Sequence, residues 1–266
     1  MDLGLKGRVA IVCAASQGLG KAAAEGFAQE GAHVVICARD KKRILVTAKQ
    51  ISASVRGRGV AVVPVVADLT RARDIRKLIG AAVREFNRID ILVTNAGGPP
   101  AGIFPDLNDT QWQTGIVLNL MSTIRSIREV LPHMQKRKWG RIINITSLTV
   151  KQPVNDLIVS STVRPGILGL SKILANQYAK DGITINNVAP GYIMTARQEE
   201  LSTVRAAKKG VSVEQYIREL SKEVPVGRYG SPSELANVIV FLASEKASYV
   251  NGTTISVDGG LVKGLF

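Results

Sequence analysis

Short runs of apolar and β-branched residues alternate with longer helical stretches along the whole chain, and this alternation constrains the fold most strongly. The predicted strands cover residues 9–13, 34–38, 60–66, 89–94, 141–146, 184–188 and 253–257. The predicted helices cover residues 18–30, 41–55, 71–86, 110–137, 165–180 and 232–243. Alternating β and α elements predict a parallel sheet with helices on both faces. The strand runs are apolar throughout, as expected for a sheet that is covered on both sides.

The length and composition favour one large α/β domain that spans residues 1–266. Of the 266 residues, 45% are apolar and 21% are charged, which excludes disordered and fibrous classes. No linker or internal repeat divides the chain. About 40 residues after Pro190-Gly191 interrupt the alternation, with helical patterns at 196–209 and 213–222. We expect residues 192–230 to form a lid over a cleft; the alternative is a surface insertion without a gating role.

The scarcity of cysteine and histidine argues against disulfide and metal chemistry. Two cysteines, Cys13 and Cys37, cannot form a disulfide scaffold or a four-cysteine zinc site, and two histidines make a histidine-based metal site improbable. The apolar runs are too short to span a bilayer, and no signal-peptide pattern precedes the first strand. We therefore expect no metal and a cytoplasmic location.

The chain carries 35 Lys and Arg against 21 Asp and Glu, a net charge of +14. Such a field favours acidic partners, namely phosphorylated cofactors, coenzyme A esters or nucleic acid. The basic residues are spread along the chain, so a solvated basic surface is the simpler interpretation. No nucleic-acid motif is present, and we expect a small-molecule substrate. An acidic substrate would suit the positive field of the protein.

A glycine-containing turn joins the first predicted strand to the first helix. It runs through Ser16, Gln17, Gly18, Leu19 and Gly20. Such a turn aims free backbone amides at a phosphate, and the dipole of the helix adds to the attraction. These five residues are predicted to bind a dinucleotide cofactor.

At this point the chain resembles the short-chain dehydrogenase/reductase family, with Cys13 and Ala14 in place of the Thr and first Gly of that family's turn. The resemblance covers nearly the whole chain and implies a Rossmann-like doubly wound sheet. Its blocks are Asp68-Leu69, Asn95-Ala96-Gly97, Asn119, Ser147, residues 187–191 and residues 252–260. Beyond the glycine turn, the cofactor-binding residues that it implies are Asp68, Leu69, Asn95, Ala96, Gly97, Pro190, Gly191, Ile193 and Thr195.

The end of the second strand favours NADP(H) over NAD(H). An acidic residue at this point would bind the ribose hydroxyls of NAD, whereas an arginine accommodates the 2′-phosphate of NADP. The sequence places Arg39 there, with Lys42 or Arg43 in support, and Asp40 comes one residue too late. The alternative is that Arg39 is only a solvated loop charge.

The active-site pattern of the family is broken in this chain. The family has a Tyr 13 residues after its active-site Ser and a Lys four residues later, and these positions hold Ser160 and Arg164. A serine hydroxyl is shorter than a phenol and far less acidic. Arg164 keeps the positive charge but is a poor proton shuttle. Asn119, Ser147, Ser160 and Arg164 are the predicted catalytic residues.

Pro165 allows two conformations of the local backbone. The helix either starts at Pro165, with residues 160–164 in a loop, or starts earlier and kinks there. Three further residues are candidates for supplying the proton in place of the missing tyrosine, namely Tyr192, Lys151 and Asp156.

The sequence thus favours an NADP(H)-dependent oxidoreductase that acts on a carbonyl or alcohol, with an atypical active site and a resemblance to 3-oxoacyl reductases. One alternative is a dinucleotide-binding protein without redox catalysis. Another is an enzyme that uses the same cleft for a different reaction class. The resemblance also implies a homotetramer, with a dimer as the alternative, through the helices near 110–137 and 165–180.

Overall fold

A computed structural model describes residues 2–265, and within them a single parallel sheet forms the centre of the molecule. Its seven strands are β1 Val9–Val12, β2 His33–Ala38, β3 Val62–Val66, β4 Ile91–Thr94, β5 Gly140–Ile145, β6 Ile183–Pro190 and β7 Thr254–Val257. They lie in the order β3-β2-β1-β4-β5-β6-β7, and all neighbours are parallel. The predicted doubly wound α/β class is confirmed.

Ten α-helices accompany the sheet within the described residues. They are α1 Gly18–Gln29, α2 Lys41–Ser54, α3 Ala72–Phe86, α4 Asp109–Gly115, α5 Ser122–Arg137, α6 Ile158–Val163, α7 Pro165–Tyr178, α8 Ala196–Lys209, α9 Val213–Glu223 and α10 Pro232–Leu242. None of the helices in residues 2–265 combines the length and the apolar character needed to cross a bilayer.

Two apolar cores lie on opposite faces of the sheet. Successive residues of a strand point to opposite faces, so Ala10 and Val12 enter one core and Val9 and Ile11 the other. The first core holds α1, α2 and α10 against the sheet, and the second holds α3, α5 and α7. Burial of each large aliphatic side chain stabilises the fold by roughly 1.5–3 kcal/mol. The sheet is therefore a rigid base for the loops at its carboxyl edge.

The long helix predicted over 110–137 is interrupted, which corrects that prediction. Between α4 and α5 lies a π-helical turn, Ile116–Met121, which contains Asn119. The Thr123 hydroxyl donates to the Asn119 carbonyl at 2.9 Å and so competes for a backbone acceptor at this point. Such turns insert one extra residue and occur often at functional sites.

The segment around Pro165 is helical, so the interpretation of 160–164 as a loop is wrong, and helical backbone begins before the proline, as the alternative predicted. Helix α6 precedes the proline, and Arg164 has helical dihedrals of φ −68° and ψ −31°. The Arg164 amide donates to the Ser160 carbonyl at 3.1 Å. Pro165 has no N–H to continue the ladder, so it opens α7 at the first helical position. Ser160 and Arg164 therefore lie one helical turn apart.

Residues 192–230, which we call the 192–230 segment, leave the sheet after β6 and carry α8 and α9. Backbone hydrogen bonds of 2.9 Å from Met194 to Gly230 and from Gly230 to Tyr192 close its two ends. The side chains of Thr195 and Ser212 cap its two helices. The segment has a small apolar core of its own, formed by Ala206, Tyr216, Leu220 and Tyr229.

Candidate active site

One large cavity, of about 1140 Å³, opens at the carboxyl edge of the sheet. Loops that follow the first six strands line it, with Ser16, Arg39, Asp68, Asn95, Ser147 and Gly191 after β1 to β6 in turn. The strand order reverses between β1 and β4, and ligands of open α/β sheets bind at this kind of position. The 192–230 segment forms the remaining wall, through residues of α8.

The glycine turn after β1 leaves backbone amides free at the cavity. Helix α1 starts at Gly18, and the preceding Gln17 is extended, with no side chain capping the helix. Gly18 has a φ of +57°, which side chains rarely tolerate. A Cβ on Gly20 would lie 2.6 Å from the Ala14 carbonyl oxygen and 2.9 Å from Asn95 Nδ2. The sequence therefore builds an anion-binding helix N-terminus in which both glycines are required.

Ala14 departs from the ideal geometry of this turn. Its φ is +48°, in the left-handed region, and it lines the cavity. For a residue with a Cβ, this conformation costs roughly 1–2 kcal/mol. The turn keeps the backbone path of a glycine without the glycine itself.

The end of β2 presents positive charge to the same cavity. Arg39 is exposed on the wall, where Lys41, Lys42 and Arg43 also lie. Asp40 instead caps α2, because its side chain accepts a hydrogen bond of 2.9 Å from the Arg43 amide. This end of the cavity suits a phosphate better than a sugar hydroxyl.

Asp68 faces this positive group from the end of β3. Partial burial raises the pKa of its carboxyl, but hydrogen bonds from the Thr70 amide and hydroxyl, of 3.0 and 2.8 Å, together with Arg39 and Arg71, outweigh that effect. The net result is a lowered pKa, so Asp68 is an anionic hydrogen-bond acceptor in the cavity.

The predicted cofactor-binding residues are brought together here, with Gly20 as the one exception. The residues that line the cavity are Ser16, Gln17, Gly18, Leu19, Arg39, Asp68, Leu69, Asn95, Ala96, Gly97, Pro190, Gly191, Ile193 and Thr195. Gly20 packs beneath the turn, where its lack of a side chain permits the contact described above.

Of the predicted catalytic residues, Ser147, Ser160 and Arg164 line the cavity, whereas Asn119 does not. Asn119 is buried in the π-helical turn, where its Nδ2 donates to the Gly97 carbonyl at 3.1 Å. Its Oδ1 has no partner among the described residues. A buried amide oxygen of this kind needs a donor, which in a protein is commonly a water molecule.

Thr149 contacts both Ser160 and Ser147 at the end of β5. The Ser160 and Thr149 hydroxyls are 2.9 Å apart, and the Thr149 amide donates to Ser147 Oγ at 3.2 Å. Thr149 and Ser160 are buried. The Thr149 contact could not be found from the sequence, because no spacing distinguishes Thr149 from its neighbours.

Arg164 is a buried cation without an acidic partner among the described residues. Its Nη1 donates to the Thr146 and Ile145 carbonyls at 2.9 and 3.3 Å, and its Nε has no partner. Burial lowers the pKa of the guanidinium to about 10, so the group is still charged at neutral pH. It therefore fixes the backbone just before Ser147 and brings positive charge to the cavity.

The other end of the cavity is mainly apolar and is formed largely by the 192–230 segment and the loop after Ser147. Its residues include Pro99, Leu148, Val154, Leu157, Tyr192, Arg197, Leu201 and Arg205. Arg205 of α8 makes two hydrogen bonds of 2.8 Å to the Asp156 carboxylate, which connects α8 to the loop after Ser147. Sequence reasoning had named Tyr192 as a candidate, whereas the only signal for Arg197, Leu201 and Arg205 was their place on the predicted helix 196–209. Within residues 2–265, no group of three metal-ligating side chains occurs.

Comparison with known proteins gives consistent matches over the whole chain. The family model described as enoyl-(acyl carrier protein) reductase matches residues 13–262. The 3-oxoacyl-(acyl-carrier-protein) reductase of Aquifex aeolicus is 33% identical over 98% of this chain and 100% of its own length. The D-beta-hydroxybutyrate dehydrogenase of Cupriavidus necator is 32% identical over 97% of this chain and 99% of its own.

Solved structures agree in fold along the full length. L-sorbose reductase from Gluconobacter frateurii, complexed with NADPH and L-sorbose, superimposes with a TM-score of 0.94 at 34% identity and full coverage of both chains. An NADPH-bound short chain oxidoreductase from Pseudomonas aeruginosa PAO1, described as containing an atypical catalytic center, has a TM-score of 0.88 at 29% identity, with 97% of each chain covered.

Proposed function

The chain belongs to the short-chain dehydrogenase/reductase family, and from this premise we propose that it is an NADP(H)-dependent oxidoreductase acting on a carbonyl or alcohol substrate. One observation carries the proposal. A single cavity is lined at one end by the glycine turn and Arg39, and further along by Ser147 and Arg164. Phosphate-binding and carbonyl-binding groups therefore belong to the same site.

The residues present fit NADP(H). The free amides of the turn at Gly18 suit a pyrophosphate, and Gly20 allows the close packing of helix on strand that this requires. Arg39 is exposed at the wall and suits the 2′-phosphate. The similar structures that were solved with NADPH support the same choice.

Ser147 and Arg164 perform complementary tasks in the proposed reaction. NADPH, when bound, would supply the hydride that reduces a carbonyl carbon, and this reduction would leave negative charge on the carbonyl oxygen. The Ser147 hydroxyl donates a hydrogen bond to that oxygen and orients it. Arg164 stabilises the charge through its buried guanidinium, which keeps its proton at neutral pH. Ser160 and Thr149 hold the Ser147 loop in place through their hydroxyl pair.

A dinucleotide-binding protein without redox catalysis is the second candidate. Ser160 stands where the family has its phenol, and a serine hydroxyl is a weak acid. An enzyme of another reaction class in this cavity would share that feature and would turn over without net oxidation of the cofactor.

Substrate, assembly and location complete the proposal. The apolar end of the cavity suits a small molecule with an apolar body, and Arg197 at its wall suits an acidic group on it. We place Asn119 as the residue that binds a water molecule, the 192–230 segment as a lid, the assembly as a homotetramer and the protein in the cytoplasm.

Carbonyl reduction is tested by the loss of NADPH absorbance with a panel of 3-oxoesters, 1,2-diketones and ketoses. We expect turnover with at least one class, and we expect Arg164→Gln to reduce kcat by about 100-fold, because a lost charge-stabilising donor costs ~2.7–4 kcal/mol. Arg164→Lys keeps the charge and serves as the matched control. NADPH binding without turnover on the whole panel would favour the second candidate instead.

A further inference from the structure

The chain must supply a proton to the reduced carbonyl oxygen, yet Ser160 occupies the position of the family's tyrosine. A serine hydroxyl is too weak an acid for this task at neutral pH. The Ser160 hydroxyl is also buried and paired with that of Thr149. Another group in the cavity must therefore act as the acid, if the proposed function is correct.

Most titratable groups of the cavity wall are unsuited to this role. The carboxylates are Asp40, which caps α2, Asp68, whose pKa is lowered, and Glu200, which pairs with Arg197 at 3.0 Å. The oxygens of Asp40 and Glu200 are thus already engaged, and Asp68 is an anionic acceptor. Arg164 keeps its proton at neutral pH, Arg197 and Arg205 are paired with carboxylates, and Arg39 lies with Arg43 and the lysines at the cofactor end.

Tyr192 is the one phenol among the described residues that line the cavity. It follows β6, and Ser147 follows β5, and these two strands are hydrogen-bonded neighbours with Ile145 opposite Val188. The carboxyl ends of adjacent parallel strands lie side by side. Tyr192 and Ser147 therefore border the same part of the cavity.

The surroundings of Tyr192 hold its ring and keep its hydroxyl protonated. The ring stacks on Tyr229, with centroids 5.5 Å apart and planes at 24°. Burial raises the pKa of the phenol, with further contributions from Glu223, Tyr229 and Tyr216, and Arg205 opposes them. The phenol is thus a proton donor, not a base, across the neutral range.

The structure separates Tyr192 from the two other candidates. Lys151 does not line the cavity. Both oxygens of Asp156 accept hydrogen bonds of 2.8 Å from Arg205, so this carboxylate is an ion-pair partner of α8.

We propose that Tyr192 is the catalytic acid, which donates the proton to the substrate oxygen in place of the family's tyrosine. This assignment rests on the proposed function. As the carbonyl carbon is reduced, the electron pair of the C=O π bond moves to oxygen. A new O–H bond forms there while the O–H bond of Tyr192 breaks, and water in the cavity returns one proton to the phenolate in each turnover.

Tyr192→Phe tests the assignment, because it removes one oxygen and keeps the stacked ring. We expect kcat for the best ketone of the panel to fall by ~100-fold or more, as is typical for loss of a general acid. KM and NADPH affinity should stay within about 2-fold, because the ring still lines the cavity. The control is Tyr229→Phe, on the stacked partner that does not line the cavity, and we expect it to change kcat less than about 3-fold.

A second readout compares an NMR titration of the phenol with the pH profile of kcat. NMR titration of ring-labelled tyrosine should assign to Tyr192 a pKa above the usual value, and the high-pH decline of kcat should follow that titration and vanish in Tyr192→Phe. Wild-type turnover that survives in Tyr192→Phe would overturn this assignment alone. Absence of turnover in the wild type would overturn the proposed function, and this assignment with it.

Discussion

Ala14 shows how a single residue can retain a backbone path that its own side chain disfavours. Its φ of +48° belongs to glycine, and the neighbouring Gly20 could not accept a Cβ at all. The sequence identified the substitution from the glycine pattern, but the left-handed φ is a property of the folded turn. Ala14 therefore introduces local backbone strain, and packing around the turn compensates for it.

Ala14→Gly should stabilise the protein by up to about 1 kcal/mol. Relief of the left-handed strain, roughly 1–2 kcal/mol, exceeds the entropy that glycine adds to the unfolded chain. Urea unfolding monitored by circular dichroism measures the change. Ala15→Gly is the matched control, because Ala15 is buried at an ordinary φ and should become less stable. An equal loss of unfolding free energy in both variants would show that Ala14 is not strained.

At the residue scale, the sequence led to the prediction that Ser160 and Arg164 hold the positions of the family's catalytic pair, but it could not identify a proton donor. Counting from Ser147 gave Ser160 and Arg164, because the spacing along one chain is preserved by the helix that carries both. Tyr192, Lys151 and Asp156 could not be ranked from the sequence. Their ranking depends on which side chain reaches the cavity, and that is set by the stacking of Tyr192 and by the Arg205 ion pair.

At the scale of elements, long periodic helices and apolar strands were predictable, and irregular helices were not. Helix α8 begins and ends where its pattern indicates, and the strand ends differ from prediction by at most two residues. The π-helical turn was missed and α6 was only one of two alternatives, because both depend on local backbone hydrogen bonding, at Thr123 and Pro165. Hydrophobic periodicity carries no signal for that competition.

The ion pair between Asp156 and Arg205 should control the opening of α8. Asp156→Asn removes the charge but keeps the size, and we expect amide hydrogen exchange in residues 196–209 to become about 5-fold faster, equivalent to ~1 kcal/mol for a partly exposed pair. Glu199→Gln is the control, because it makes the same kind of change on the same helix at an exposed residue outside the cavity wall. Exchange that is equally slow in both variants would argue against a lid held by this contact.

At the scale of the whole molecule, the charge pattern and the fold lead to the same site. The net charge of +14 is spread along the chain, yet arginine and lysine residues from the end of β2 gather at one end of the cavity. The sheet topology explains why this could be predicted, because it brings the ends of parallel strands to one edge. The apolar end of the cavity could not be predicted, since it depends on how the 192–230 segment folds back.

The proposed homotetramer leads to a prediction about α7. Ile173 is 59% exposed on this helix, and the family resemblance places the helix at a subunit interface. Light scattering at micromolar concentration should give four times the chain mass of 28.5 kDa. Ile173→Glu should dissociate the assembly, whereas Leu45→Glu, at a residue 41% exposed on α2, should not. A monomeric wild type would contradict the proposal.

Direct titration with NADPH and NADH, by calorimetry, tests the central claim of an NADP(H) site at the glycine turn. We predict micromolar binding of NADPH and at least about 10-fold weaker binding of NADH. Arg39→Gln should weaken the binding of NADPH by ~10- to 100-fold, because hydrogen bonds to charged groups contribute ~1.5–3 kcal/mol. The affinity for NADH should not change. Arg56→Gln, at an exposed arginine outside the cavity wall, is the control. Failure of both cofactors to bind at millimolar concentration would contradict the account.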